Sequence, residues 1–118
     1  MAPAPPDETP LEISTAETAR ALEDGSAVVV DVREDHEREA GHIGATRHIA
    51  VGELAAQAES LPRERPVIFY CLSGARSAMA AQAFRAAGYD ARSMAGGIAG
   101  WDAEGRPLSP EGGQVAGH

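Results

Sequence analysis

The sequence lacks the features that membrane, nucleic-acid-binding and disulfide-stabilised proteins need. Its 118 residues include one cysteine, so no internal disulfide can form, and a free thiol suits the reducing cytoplasm, where we expect the protein. The 10 Lys and Arg residues against 18 Asp and Glu residues give a formal net charge of -8, which argues against nucleic acid or an anionic membrane surface as a partner. No apolar run approaches the ~20 residues of a membrane span.

Aromatic residues make up only 4% of the chain, so the core must consist mainly of Val, Ile, Leu and Ala. The length suits one domain, which we predict over residues 11–108, between a disordered lead-in at 1–10 and a flexible tail at 109–118. His36, His42 and His48 recur at a spacing that shares no face of a helix or strand. We therefore predict no metal site and no cofactor.

Short apolar segments alternate with helical segments along the chain. Ala27–Val32 and Val67–Tyr70 are β-branched, continuous runs, typical of central parallel strands buried on both faces. Shorter strands are predicted at Leu11–Ile13, Arg47–Ile49 and Tyr89–Met94. The alternation predicts an α/β fold, with a central, mainly parallel five-stranded sheet and helices on both faces.

The helices are indicated by caps and charge. Ser14 and Glu17 form a capping box, and Gly25 marks the end of that helix. The charge run from Arg33 to Glu39 predicts a short solvated helix, and Asp31 and Arg33 are interpreted as structural. The helix predicted at Ser77–Ala87 has an inward face made of Met79, Ala80, Ala83, Phe84 and Ala87.

Cys71 is the candidate nucleophile, because it stands where the apolar run Val67–Tyr70 ends and a turn of small residues begins. A strand, a tight turn and a helix N-terminus together point backbone N–H groups at one place, and the helix dipole adds positive potential there. A thiol at that place should ionise below its ordinary pKa of ~8.5. Arg76, on the same turn, is predicted to hold an anionic substrate.

The size of the loop favours sulfur over phosphorus chemistry. Four residues separate Cys71 from Arg76, one fewer than in phosphatases of the cysteine type. A smaller ring of N–H groups leaves less room for a phosphoryl group but fits a single sulfur atom attached to Cys71. A small phosphatase or arsenate reductase therefore remains as a weaker alternative.

Four ordered motifs give the chain a resemblance to the single-domain rhodaneses, a family of sulfurtransferases. They are Asp31-Val32-Arg33, Gly41-His42-Ile43-Gly44-Ala45, Cys71-Leu72-Ser73-Gly74-Ala75-Arg76-Ser77 and Gly96-Gly97-Ile98-Ala99-Gly100-Trp101. One departure is visible: family members usually have Pro followed by Gly-Ala after the His-Ile pair, whereas here either Gly44 takes the Pro position or the Pro is missing. The resemblance implies a rhodanese-like fold and a persulfide on the loop cysteine.

The resemblance also implies a two-step exchange without a cofactor. Cys71 would take a sulfane sulfur from a small anionic donor such as thiosulfate and pass it to a thiol acceptor or to cyanide. Arg76 would hold the donor, and the remaining substrate-binding positions are Leu72, Ser73, Gly74, Ala75 and Ser77. A sulfur-carrier or relay module with a protein acceptor is the alternative reading, since it needs the same persulfide.

Overall fold

The computed structural model describes residues 10–116, which fold around one parallel β-sheet. The strands are β1 (Glu12–Ile13), β2 (Val28–Asp31), β3 (Arg47–His48), β4 (Val67–Tyr70) and β5 (Ala91–Met94). The α-helices are α1 (Thr15–Asp24), α2 (Asp35–Ala40), α3 (Leu54–Gln57), α4 (Ala75–Ala86) and α5 (Gly97–Ala103), and short 3-10 turns at Val51–Glu53 and Ala58–Ser60 flank α3. Residues 1–9 of the predicted lead-in lie outside the described residues.

The sheet has five strands in the order β1-β5-β4-β2-β3, and every neighbouring pair is parallel. This arrangement confirms the predicted α/β fold. Strand β4 lies in the middle of the sheet, where both of its faces are covered and all four of its residues are buried. Its carboxyl end therefore opens at the centre of the sheet edge, where parallel α/β folds place their ligands.

Two apolar layers cover the sheet, and β4 supplies both. Val67 and Phe69 pack with Leu54 and Phe84 on the side of α3 and α4. Ile68 and Tyr70 point to the other face, whose apolar layer also includes Ala21 of α1 and Ile98 and Trp101 of α5. Because side chains alternate along a strand, the residue after Tyr70 returns to the α4 side, and Cys71 indeed belongs to that layer.

The local signals at α1 are confirmed in detail. The Ser14 hydroxyl accepts a hydrogen bond from the Glu17 N–H at 3.0 Å, and the Glu17 carboxylate accepts one from the Ser14 N–H at 3.2 Å. Gly25 caps the other end with φ 70°, in the left-handed region that favours glycine. The bounds of α1 are therefore set by residues that satisfy the backbone hydrogen-bonding groups at its two ends.

The predicted inward face of α4 is partly wrong. The helix begins at Ala75, and its buried residues are Ser77, Ala80, Ala81 and Phe84. Ala83 and Ala87 are exposed, and Met79 is 71% exposed. Alanine is compatible with either face, so the alanine-rich pattern did not fix the rotation of the helix about its axis.

The charge run after β2 is less solvated than predicted. Arg33 and Glu37 are both 0% exposed. Arg33 donates from Nε and Nη2 to the two carboxylate oxygens of Asp31, at 2.9 and 2.8 Å. Asp31 is also fully buried, which agrees with the structural role predicted for it and for Arg33. Pairing with opposite charges is what allows these groups to lie in the interior.

The chain after α5 folds back onto the domain. Ser109 and His42 exchange backbone hydrogen bonds of 2.7 and 2.9 Å, and the Gln114 N–H donates to the Ala40 carbonyl at 2.8 Å. Val115 packs at the edge of the apolar layer that contains Trp101. The stretch predicted as a tail is thus in contact with the domain as far as Ala116, while the domain limits of 11–108 stay a prediction.

Candidate active site

Cys71 lies at the carboxyl end of β4 and is 1% exposed. Its carbon atoms pack with the apolar layer on the α4 side, and its sulfur faces the loop that follows. Within that loop Ser73 and Ala75 are exposed, whereas Leu72 is half-buried and Gly74 and Ser77 are buried. Ser73 and Ala75 therefore form the solvent-facing side of the segment that follows Cys71.

Two hydrogen-bonding groups, one from the loop and one from the first turn of α4, contact the sulfur. The Gly74 N–H donates to Cys71 Sγ at 3.1 Å, and the Ser77 hydroxyl lies 3.5 Å from the same atom. Gly74 has φ 115°, which a residue with a side chain rarely adopts. This conformation turns the Gly74 N–H inward, toward the sulfur.

Helix α5 fixes the orientation of the loop from behind. The Ile98 N–H donates to the Cys71 carbonyl at 2.9 Å, and the Ala99 N–H donates to the Leu72 carbonyl at 3.0 Å. With these two carbonyls held by α5, the loop is free to direct N–H groups at the sulfur. Gly97 makes this approach possible, because a Cβ there would lie 2.3 Å from the Leu72 carbonyl oxygen.

The loop lowers the pKa of Cys71. Burial disfavours the thiolate and raises the pKa, but the hydrogen bonds outweigh it: the Ser77 hydroxyl and the backbone N–H groups of Ser77, Gly74 and Ser73 favour the charged form. The net shift of the Cys71 pKa is downward from the ordinary value of a thiol. A larger thiolate fraction near neutral pH is what a sulfur nucleophile needs.

Sequence reasoning missed Ser93, which lies behind Ser77. The two hydroxyl oxygens are 2.8 Å apart, and both residues are fully buried. The Ser77 hydroxyl also donates to the Gly74 carbonyl at 3.2 Å, so Ser93 belongs to the network that positions Ser77 beside the sulfur. A polar residue within the short strand β5 could have drawn attention to Ser93 in the sequence. Only the order of strands in the sheet, however, shows that β5 lies beside β4.

Arg76 is held by a carboxylate that sequence reasoning also missed. Its Nη1 and Nη2 atoms lie 3.0 and 3.1 Å from the two carboxylate oxygens of Glu37. Burial raises the pKa of Glu37, but hydrogen bonds from Arg76 and Glu34 and the positive charge of Arg76 outweigh burial and bring the pKa down to about 2. The predicted cation is therefore present at the loop, and it is paired with an ionised group.

A second network fixes the helix that carries Glu37. Arg38 of α2 donates to the Thr46 carbonyl at 2.8 Å and lies 3.4 Å from Asp31 Oδ2. The Tyr70 hydroxyl donates to the same carboxylate oxygen at 3.2 Å, and burial raises the pKa of Tyr70 to about 12, so the hydroxyl stays protonated. These bonds join α2 to the strand that leads into Cys71.

The three histidines do not converge on the thiol. His36 is exposed, His42 Nδ1 lies 3.1 Å from the Arg38 carbonyl, and His48 Nε2 lies 2.7 Å from the Arg33 carbonyl.

Among residues 10–116, no group of three His, Cys, Asp or Glu side chains is placed to hold a metal ion. In the same range, no helix is both long and apolar enough to cross a membrane.

Comparison with known proteins places this chain in a family. The chain is 33% identical over 97 residues to "Putative sulfurtransferase YtwF" of Bacillus subtilis, a match that covers 81% of this chain and 94% of that protein. It is 30% identical over 93 residues to "Thiosulfate sulfurtransferase GlpE" of Coxiella burnetii, covering 78% of this chain and 87% of that protein. The structure of the human single-domain sulfurtransferase TSTD1 is similar, with a TM-score of 0.72, 31% identity and coverage of 80% and 96%. The model of the rhodanese-like domain matches residues 14–104, and the chain therefore belongs to the rhodanese-like domain family.

Proposed function

We propose that this protein is a sulfurtransferase that carries a sulfane sulfur as a persulfide on Cys71. The observation that carries the proposal is the hydrogen bonding of the thiol: the Gly74 N–H donates to Sγ at 3.1 Å, and the Cys71 thiol donates to the Ser77 hydroxyl oxygen at 3.5 Å. These groups favour a thiolate and, after transfer, the terminal sulfur of a persulfide anion. Two similar proteins bear the names sulfurtransferase YtwF and thiosulfate sulfurtransferase GlpE, which supports the same chemistry here.

The proposed reaction has two balanced steps. In the first, the Cys71 thiolate attacks the outer sulfur of thiosulfate; a new S–S bond forms, the old S–S bond breaks, and sulfite leaves with the bonding electron pair. In the second, an acceptor thiolate or cyanide attacks the outer sulfur of the persulfide, and the Cys71 thiolate is the leaving group. No general base is required, because the nucleophile enters as the anion.

The residues around Cys71 are proposed to have separate roles in the reaction. N–H groups of Ser73, Gly74 and Ser77 stabilise the anionic sulfur, and Leu72 and Ala75 line the approach. Arg76, which is paired with Glu37, is proposed to orient the anionic donor by hydrogen bonding rather than by a net charge. The physiological acceptor is proposed to be a small thiol or a protein thiol, and in the latter case the domain acts as a sulfur relay.

Mass spectrometry of the intact protein tests the proposal. After incubation with thiosulfate, the protein should gain the mass of one sulfur atom, and cyanide should remove it with release of thiocyanate. Because Cys71 is the single cysteine, Cys71→Ser is a clean control that should gain nothing. An unmodified thiol after exposure to several sulfur donors would refute the proposal, and turnover of an aryl phosphate at a comparable rate would favour the phosphatase alternative.

A further inference from the structure

The positive charge that the loop offers to a donor is already balanced. Arg76 and Glu37 form a two-point ion pair at 3.0 and 3.1 Å. The side chain of Glu37 is 1% exposed and that of Arg76 is 23% exposed, so the pair is largely shielded from solvent. Glu37 is ionised at neutral pH, since its pKa lies at about 2. The pair therefore contributes no net charge beside Cys71.

The N-terminus of α2 holds Glu37 in this position. The N–H of Glu34, the N-cap residue, donates to Glu37 Oε1 at 2.9 Å, and Glu37 lies in the first turn of α2. Arg38, one residue further along α2, is bonded to Thr46 at 2.8 Å. A donor that needed the full charge of Arg76 would have to break a preorganised pair. Glu34, which is exposed and electrostatically coupled to Arg76, adds a further negative charge on this side.

An incoming sulfur donor consequently meets a site with little positive charge. The nucleophile is itself an anion, and the protein carries a formal net charge of -8. The remaining attraction comes from the loop N–H groups and the N-terminus of α4, which act over short range. Coulomb repulsion grows with the charge of the donor, so a dianion is disfavoured more than a monoanion of the same reacting chemistry.

We propose that Glu37 is a specificity-determining residue, which cancels the charge of Arg76 and biases the site toward organic sulfane-sulfur donors with at most one negative charge over dianionic thiosulfate. This inference rests on the proposed sulfurtransferase function. Thiosulfonates represent the favoured class: the Cys71 thiolate takes the outer sulfur, the S–S bond breaks, and a sulfinate leaves with the electron pair. Thiosulfate reacts in the same way with sulfite as the leaving group, so the two donors differ chiefly in charge.

A charge series at the pair tests the inference. The measured quantity is the ratio of kcat/KM for thiosulfate to kcat/KM for methanethiosulfonate, with cyanide as acceptor. Glu37→Gln leaves Arg76 uncompensated and should raise the ratio about fivefold, whereas Arg76→Gln leaves Glu37 uncompensated and should lower it about fivefold. The double variant restores a neutral pair, and its ratio should lie within about twofold of the wild-type ratio.

The outcomes separate this inference from the function on which it rests. If neither donor forms a persulfide on wild-type Cys71, the proposed function fails. If both donors do so but the ratio is the same across the series, Glu37 does not determine specificity and the inference is overturned. A thiosulfate preference that falls in Glu37→Gln would overturn it as well.

The wild-type protein provides a second measurement if a variant does not fold. Salt screens repulsion between a dianion and a site without net positive charge. The ratio should therefore rise as potassium chloride is increased from low ionic strength to about 0.15 M, where the Debye length is about 8 Å. A ratio that falls with added salt would show that the site attracts the dianion through an uncompensated cation, which would refute the inference.

Discussion

The contact between Gly97 and the active-site loop gives the most direct test of how this fold activates its thiol. Gly97 has φ 59°, and a Cβ built there would lie 2.3 Å from the Leu72 carbonyl oxygen and 2.6 Å from the Cys71 carbonyl oxygen. Both atoms are backbone, so neither can move aside as a flexible side chain could. Gly97→Ala should therefore displace the loop, lengthening the bonds from Ile98 and Ala99 to these carbonyls.

The expected cost has two parts. A left-handed conformation costs alanine about 1–2 kcal/mol, and overpacking costs about 1–3 kcal/mol, so the free energy of unfolding should fall by about 2–5 kcal/mol. Displacement of the loop also moves the N–H groups away from Cys71 Sγ. The pKa of Cys71 should then rise toward its ordinary value, and the rate of persulfide formation near neutral pH should fall about tenfold.

Gly100→Ala is the matched control, because it makes the same change three residues later in α5, where no atom lies within 4 Å of the added Cβ. It should leave the thiol pKa unchanged and stabilise the helix by up to about 1 kcal/mol. Urea unfolding gives the stability, and the rate of alkylation by iodoacetamide as a function of pH gives the pKa. If Gly97→Ala matched Gly100→Ala in both measurements, the proposed support of the loop by α5 would be wrong.

Three further predictions concern the hydroxyl pair, the buried carboxylate and one strained residue. Ser77→Ala should raise the pKa of Cys71, and Ser93→Ala should raise it less. In the Ser77→Ala background, Ser93→Ala should have no effect on this pKa; alkylation rates detect this non-additivity, which a purely structural role for Ser93 would not produce. The pKa of Glu37 in the folded protein, about 2, lies below its ordinary value of 4.5, so its contribution to stability is complete above about pH 4.5 and is lost as the pH falls to about 2. In urea unfolding, Glu37→Gln should lack that part of the pH dependence and lose up to about 3 kcal/mol at pH 7. An unchanged acid profile of stability in this variant would contradict the assignment. Ala45 has φ 63°, so Ala45→Gly should raise the melting temperature, with a gain of about 0.5–1 kcal/mol, and a lower melting temperature would count against strain at this position.

The sequence by itself determined the architecture and singled out a candidate nucleophile. Alternating apolar and helical segments predicted a parallel five-stranded sheet, because β-branched runs such as Val67–Tyr70 are stable only when both faces are covered. The capping box at Ser14 and the glycine at Gly25 set the bounds of α1 through local hydrogen bonds. Cys71 was found because a strand end followed by a small-residue turn is a local pattern. These features depend on neighbours in the chain, so they can be read from it.

Only the tertiary structure decided what surrounds that nucleophile. Glu37 stood in a charge run that predicted a solvated helix, yet it is buried against Arg76, 39 residues away. Ser93 reaches Ser77 because β5 pairs with β4, and Gly97 supports the loop because α5 begins directly behind it. Each of these contacts joins segments far apart in the chain. Their geometry depends on the packing of the whole domain, and the charge and pKa of the site depend on that geometry.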